Sequence, residues 1–252
     1  MTILSINLNK IALIRNSRDT TIPDVLDHAR QCIAAGAGGI TVHPRPDQRH
    51  IRADDCRELK AGIDVELNIE GNPFAPPRSS DRAGVSDYPG FMALVEEVRP
   101  AQATLVPDGD AQLTSDHGFD LEVDGERLQP VIEQLKAWGC RVSLFMDPLP
   151  EAMAMARDAG ADRIELYTER YARAHAAGDY LQALTDYQAA ARAAAKVGLG
   201  VNAGHDLNLS NLPDFDIPEC LEVSIGHAFT VDALQYGIER AIQLYLQALE
   251  GR

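Results

Sequence analysis

The run HPRPDQRH, residues 43–50, places two imidazoles and two guanidinium groups within one short segment. Pro44 and Pro46 restrict the backbone on either side of Arg45, so the segment presents His43, Arg45, Arg49 and His50 from a stiffened frame. Guanidinium binds phosphate through two parallel hydrogen bonds and imidazole adds another donor, which suits the segment to clamping a phosphate. A solvated charged loop has the same composition. A second anion-binding signature is IGHAF, where Gly226 and His227 stand at the start of a helix-like run and backbone N–H groups favour negative charge. Two such corners imply two phosphorylated small molecules as substrates.

Proton-transfer candidates lie elsewhere in the chain. Glu70 and Glu165 sit in the apolar runs LNIE and RIELY, where a carboxyl is costly unless hydrogen-bonded or used in chemistry. That setting can raise a glutamate into the range useful for proton transfer, although an ion pair with a nearby arginine is the other common use. Of the seven histidines, His43, His205 and His227 directly follow strand-like runs, and His50 lies a few residues beyond one. Asn7, Asn9, Lys10, Asp147, Tyr167 and Asn202 share this placement.

Such residues meet only if the runs they follow are strands pointing the same way. Eight runs have strand character, at 4–8, 39–43, 64–69, 102–106, 141–145, 163–167, 200–202 and 221–225. Helical stretches between them include 23–35, 126–138, 151–159, 180–197 and 231–249. The spacing averages about 31 residues, the length of one strand–helix unit. Gly36, Gly139, Gly160 and Gly198 each end a helical stretch just before a strand, as a left-handed C-terminal residue would. The segments AAGAGGITVH and RDAGADRIELY resemble one another, a weak internal repeat. Strict alternation predicts a parallel α/β sheet. An open doubly wound sheet normally carries a glycine-rich loop after its first strand, and NLNKIALIRN contains no glycine. The expectation is therefore a single-domain (β/α)8 TIM barrel spanning residues 1–252, with its site at the mouth where the strands end. An extended loop at 71–89, rich in Pro, Gly and Ser, follows the third strand, where either a lid or a surface insertion can sit.

Composition narrows the partners. The net charge of −15 argues against a nucleic-acid partner. Residues 1–60 alone carry nine Lys and Arg against seven Asp and Glu, so anion binding should draw on the first quarter. No apolar run approaches the ~20 residues of a membrane span, and MTILSINLNK does not read as a signal peptide, so a cytoplasmic protein without membrane contact is expected. Cys32, Cys56, Cys140 and Cys220 lack paired spacing and read as reduced packing residues. No dinucleotide fingerprint, P-loop or metal motif occurs, so neither a cofactor nor a metal is expected.

The strings NLNKIALIRNSR, GITVHPRPDQRHI, NIEGNP, TLVPD, QLTSDHGFDL, VSLFMD, VNAGHDLN and IGHAF resemble the PdxJ family of pyridoxine 5'-phosphate synthases over nearly the whole chain. The resemblance implies a (β/α)8 barrel assembled as a homo-oligomer, an octamer in that family. It implies condensation of 1-deoxy-D-xylulose 5-phosphate with 3-amino-2-oxopropyl phosphate, releasing phosphate and water. It also implies that His43 and Glu70 accept protons, that His205 donates one, and that Glu165 stabilises developing charge. Arg45, His50 and Thr114 match the family's contacts to the deoxyxylulose phosphate; Asn7, Arg18, Gly226 and His227 match those to the amino ketone phosphate.

The chain departs from the family pattern at several positions. Asn9 and Lys10 stand where Asp-His is usual, and Asp206 and Glu169 each replace a usual Gly. Asn9 keeps hydrogen-bonding capacity, Lys10 can face an anion, and only a backbone contact transfers to Asp206. Two competing readings are a metal-dependent barrel isomerase or hydrolase liganded by His43, Glu70 and His205, and a barrel that binds sugar phosphates without catalysis. The first lacks H-x-H and H-E-x-x-H spacings, and the second leaves an intact proton-transfer set unexplained.

Overall fold

Eight parallel strands close on themselves in chain order: β1 (Ile3–Asn7), β2 (Gly39–Val42), β3 (Glu66–Gly71), β4 (Gln102–Leu105), β5 (Arg141–Met146), β6 (Arg163–Tyr167), β7 (Gly200–Gly204) and β8 (Cys220–Ile225). The computed structural model describes residues 2–18, 20–109 and 112–250. Pairing of β8 with β1, from Ile3 opposite Glu222 to Ile6 opposite Ile225, closes the barrel and excludes the open-sheet alternative.

Helices fill the connections: α1 (Asn9–Asn16), α2 (Val25–Ala34), α3 (Ala53–Gly62), α4 (Phe91–Val98), α5 (Leu121–Ala137), α6 (Ala152–Asp158), α7 (Glu169–Ala176), α8 (Leu181–Lys196), α9 (His227–Tyr236) and α10 (Ile238–Glu250). Gly36, Gly139, Gly160 and Gly198 all have positive φ, so the four helix stops read from sequence are real turns into β2, β5, β6 and β7. The fifth helix starts at Leu121, earlier than expected, because the Asp120 carboxylate accepts from Glu122 N and caps it there. The expected helix over 231–249 is two helices, broken at Gly237 with φ of +82°. The extended loop after β3 forms one antiparallel bridge, Arg78 to Tyr88. It docks on the β2–α3 loop, where Gln48 Nε2 donates to Ser86 O at 2.8 Å.

Strand side chains alternate between two environments. Outward-facing Leu4, Ile6, Ile40, Val42, Leu144, Ile164 and Val223 are buried under the helices and form the apolar core. Inward-facing Ser5, Thr41, Asn68, Thr104, Ser143 and Asn202 are polar and equally buried. All but Ser143 bond across strands, as in Ser5 to Thr41 at 2.8 Å and Thr104 to Asn68 at 2.9 Å, which offsets their desolvation, whereas Ser143 Oγ is buried without a partner. The barrel axis is thus hydrogen-bonded where many barrels fill it with branched aliphatic residues. All four cysteines are buried and free. Among the described residues no helix is long and apolar enough to cross a membrane.

Candidate active site

A cavity of about 440 Å³ opens at the end of the barrel where the strands terminate. It gathers His43, Glu70, Glu165 and His205 with Asn7, Asn9, Lys10, Arg45, His50, Thr114, Asp206, Gly226 and His227. Arg18 does not line it and is exposed beyond the end of α1, and Arg49 borders only a smaller recess beside it. Asp147 and Asn202 also lie away from the cavity. Asp147 accepts from Gly118 N, and Asn202, deeper in the barrel, accepts from Arg163.

One wall comes from β1, β2 and β3. Asn7 Oδ1 accepts from Asn9 N at 3.0 Å, Asn9 Oδ1 accepts from His43 N at 2.9 Å, and Asn7 Nδ2 approaches Glu70 Oε2 at 3.4 Å. Asn9 therefore ties the first strand end to the second. Behind this wall, Arg15 forms a two-point ion pair with Asp55 and donates to His50 O at 3.1 Å. The Asn16 amide donates to the carbonyls of Gln48, Arg49 and His50. The stiff loop read from its prolines is thus also pinned from below by α1.

Charge states follow from burial. His43 is 5% exposed, and desolvation, reinforced by Arg45 and His50, holds it well below the usual histidine range. Its Nδ1 lies 3.8 Å from Glu70 Oε2 and its Nε2 3.6 Å from Asp108 Oδ2. His50 is pushed down to about 3, by burial first and then by Arg45 and Arg49. Ile51 N donates to His50 Nδ1 at 2.9 Å, so the ring proton sits on Nε2. Burial, with Glu165 and Asp108 adding repulsion, drives Glu70 well above the usual carboxylate range. Burial and the deeper Glu222 raise Glu165 to about 8.

The opposite wall comes from β6, β7 and β8. His205 Nε2 meets Thr114 Oγ1 at 3.0 Å, its Nδ1 meets Asp206 Oδ2 at 3.3 Å, and Tyr167 packs edge-on against the ring at 5.1 Å. His205 and Asp206 both have positive φ, +84° and +57°. Thr168 Oγ1 donates to Gly204 O and His205 O and supports this turn. A Cβ on Gly204 would lie 2.2 Å from Glu165 Oε1, so glycine there leaves room for the carboxyl.

Sequence reasoning missed Asp108, Ser115 and Phe145. Asp108 is buried, accepts from Arg45 and Ser115, and follows β4 at the same distance in sequence as Arg45 follows β2. The strand-end rule that selected the histidines would have found it. Among the described residues no group of three or more His, Cys, Asp or Glu side chains is placed to hold a metal ion.

Fold and cavity together define a barrel enzyme whose mouth combines neutral imidazole, proton-holding carboxyls and cationic anion donors. The chain belongs to the PdxJ family, matching the description "Pyridoxal phosphate biosynthesis protein PdxJ" over residues 4–251. It is 55% identical to a pyridoxine 5'-phosphate synthase of Xanthomonas campestris pv. campestris (strain B100), covering 98% of this chain and 96% of that one. It is 53% identical to the enzyme of the same name from Xylella fastidiosa (strain M23), covering 98% and 94%. The 3-hexulose-6-phosphate synthase of Salmonella typhimurium superposes with a TM-score of 0.61 at 17% identity, over 98% of this chain and 100% of that one. Tryptophan synthase subunit alpha from Legionella pneumophila str. Paris superposes with a TM-score of 0.58 at 12% identity, over 100% and 94%. These two structural likenesses speak to the barrel fold alone.

Proposed function

We propose that this cavity condenses 1-deoxy-D-xylulose 5-phosphate with 3-amino-2-oxopropyl phosphate and closes the pyridine ring of pyridoxine 5'-phosphate. The observation that carries the reading is the enclosure, in one cavity, of His43, Glu70, Glu165 and His205 between two anion corners, Arg45 with His50 and Gly226 with His227. Joining an amine to a ketone requires protons to be moved at the carbinolamine and imine; loss of phosphate and ring closure require more.

The neutral His43 is an acceptor for such protons. Glu70 is favoured in its protonated form because burial disfavours the anion. A cationic amine arriving beside Glu70 supplies the counter-charge that lets it ionise and accept. His205 donates from the opposite wall, where Thr114 and Asp206 hold both ring nitrogens. Glu165, deep between the walls, faces charge that develops in the ring as it forms. Lys10, exposed at the first turn of α1, offers a cation at the rim.

The same reading includes a cytoplasmic homo-oligomer acting on small phosphorylated substrates, without a nucleic-acid, membrane or cofactor requirement. Arg18, exposed outside the cavity, joins the amino ketone site only if it moves toward that cavity or reaches the cavity of a neighbouring copy. Solution mass measurement tests the assembly. For the reaction, the purified protein is incubated with both substrates; pyridoxine 5'-phosphate and an equimolar amount of inorganic phosphate are expected. Glu70→Gln should lower turnover by roughly 10²-fold while both substrates still bind. Absence of both products with the folded protein sinks the reading, and a loss of binding alone in Glu70→Gln makes Glu70 a structural anchor.

A further inference from the structure

Asp108 is a buried carboxylate beside the reaction centre to which the reaction above assigns no step. It stands behind Arg45 and His43 in a recess of about 20 Å³, separate from the main cavity. Asn72 Nδ2 donates to its main-chain carbonyl at 2.8 Å and fixes its position. Its Oδ2 accepts from Arg45 Nη2 and from Ser115 Oγ at 2.9 Å, and lies 3.6 Å from His43 Nε2. Its Oδ1 is buried with no hydrogen-bond partner.

Arg45 is the shared element. It borders both the recess and the main cavity, so the same guanidinium faces Asp108 on one side and the place of an incoming phosphate on the other. A phosphate dianion outbids a single carboxylate for a guanidinium because it brings more charge and more acceptor oxygens. Burial pushes the Asp108 carboxyl up, and Arg45 with Ser115 pulls it back down.

We infer that Asp108 couples phosphate binding to proton transfer: it holds Arg45 until substrate phosphate takes that guanidinium, then closes on His43 Nε2 and strengthens the imidazole as a base. The inference rests on Arg45 anchoring a substrate phosphate. Closing the gap from 3.6 Å to a hydrogen bond needs a movement of under about 1 Å. With its proton on Nε2 facing Asp108, His43 accepts the substrate's proton at Nδ1, the nitrogen that faces Glu70. The Asp108 carboxylate then neutralises the imidazolium and takes no proton itself. Asp108 is in this sense a positioning residue.

The test compares Asp108→Asn with the unmodified protein, reading inorganic phosphate affinity by calorimetry and turnover with both substrates. Removing the competing charge should tighten phosphate binding by roughly 5-fold or more. Turnover should fall roughly 10- to 100-fold, because His43 loses its counter-charge. A residue that merely balances a buried arginine would give unchanged or weaker phosphate binding, and that result overturns the inference. Tighter binding with undiminished turnover overturns it too. Should Asp108→Asn fold poorly, titration of the unmodified protein with phosphate replaces it: the His43 Nε2 proton must move downfield in the NMR spectrum as it gains a hydrogen bond, and a stationary signal at saturation overturns the coupling. Arg45→Met separates the two layers. If it binds phosphate as before, the anchor and the coupling fall together; if it loses phosphate while Asp108→Asn shows no gain, only the coupling falls.

Discussion

The two walls of the cavity reach their geometry by opposite means. On the β1–β3 side, position is set by side chains that hydrogen-bond to distant backbone: Asn9 to His43 N, Arg15 to His50 O, and Asn16 to three successive carbonyls. On the β6–β8 side, position is set by unusual backbone and by missing side chains: left-handed His205 and Asp206, and Gly204 making room for Glu165. The first arrangement gives rigid donors, which suits a phosphate whose position does not change through a reaction. The second turns His205 toward Thr114 and Asp206 and leaves Glu165 space that a Cβ would fill, which suits groups that must share protons with a changing substrate.

Asp55→Ala should break the first wall most severely. It leaves the Arg15 guanidinium buried and unpaired, a change that typically costs about 3–5 kcal/mol. Urea unfolding should show that loss, and phosphate affinity should fall with it, since Arg15 no longer holds the His50 carbonyl. A stability change under about 1 kcal/mol would mean that the Arg15–Asp55 pair does not hold the wall.

The second wall is probed by pH. Glu165, raised from 4.5 to about 8 by burial and Glu222, is held protonated in the folded protein. Its contribution to stability is complete below the unfolded value of 4.5 and is lost as pH rises through about 8. Glu165→Gln removes that dependence. The variant should match the parent protein near pH 4 and be the more stable of the two at pH 8 to 9, in unfolding curves recorded across the range. Parallel stability profiles would show that Glu165 titrates normally.

The smallest effect is expected at Asp206→Gly. Relief of left-handed strain and the extra freedom of glycine in the unfolded chain oppose each other, so stability should move by less than about 0.5 kcal/mol. Turnover should fall only a few-fold, roughly what one exposed hydrogen bond to the His205 ring contributes. A large stability loss would show that Asp206 supports the turn itself.

The barrel was legible because its signals are local. Period-2 alternation marks strands such as RIELY, and glycine marks the helix ends before β2, β5, β6 and β7. Strand ends of a parallel barrel share one mouth, so the positions of His43, Glu70, Glu165 and His205 beside strand ends suffice to bring them to one cavity without any contact information. Asn9 and Lys10, just past β1, line the same cavity. Arg18 was named by resemblance alone, and no local signal tells where an exposed residue after α1 points.

What a chain determines by itself is therefore which residues can reach the mouth, since that depends on periodicity and on punctuation a few residues long. Which of them touch depends on closure. Arg15 and Asp55 are 40 residues apart and Thr114 and His205 are 91 apart, yet each pair bonds directly. Asp108 meets Arg45 across 63 residues, and Glu165 owes its raised proton affinity to burial beside Glu222 from another strand. Desolvation and long-range pairing arise only when eight strands close around a common axis, so the charge states that make the site reactive belong to the tertiary structure.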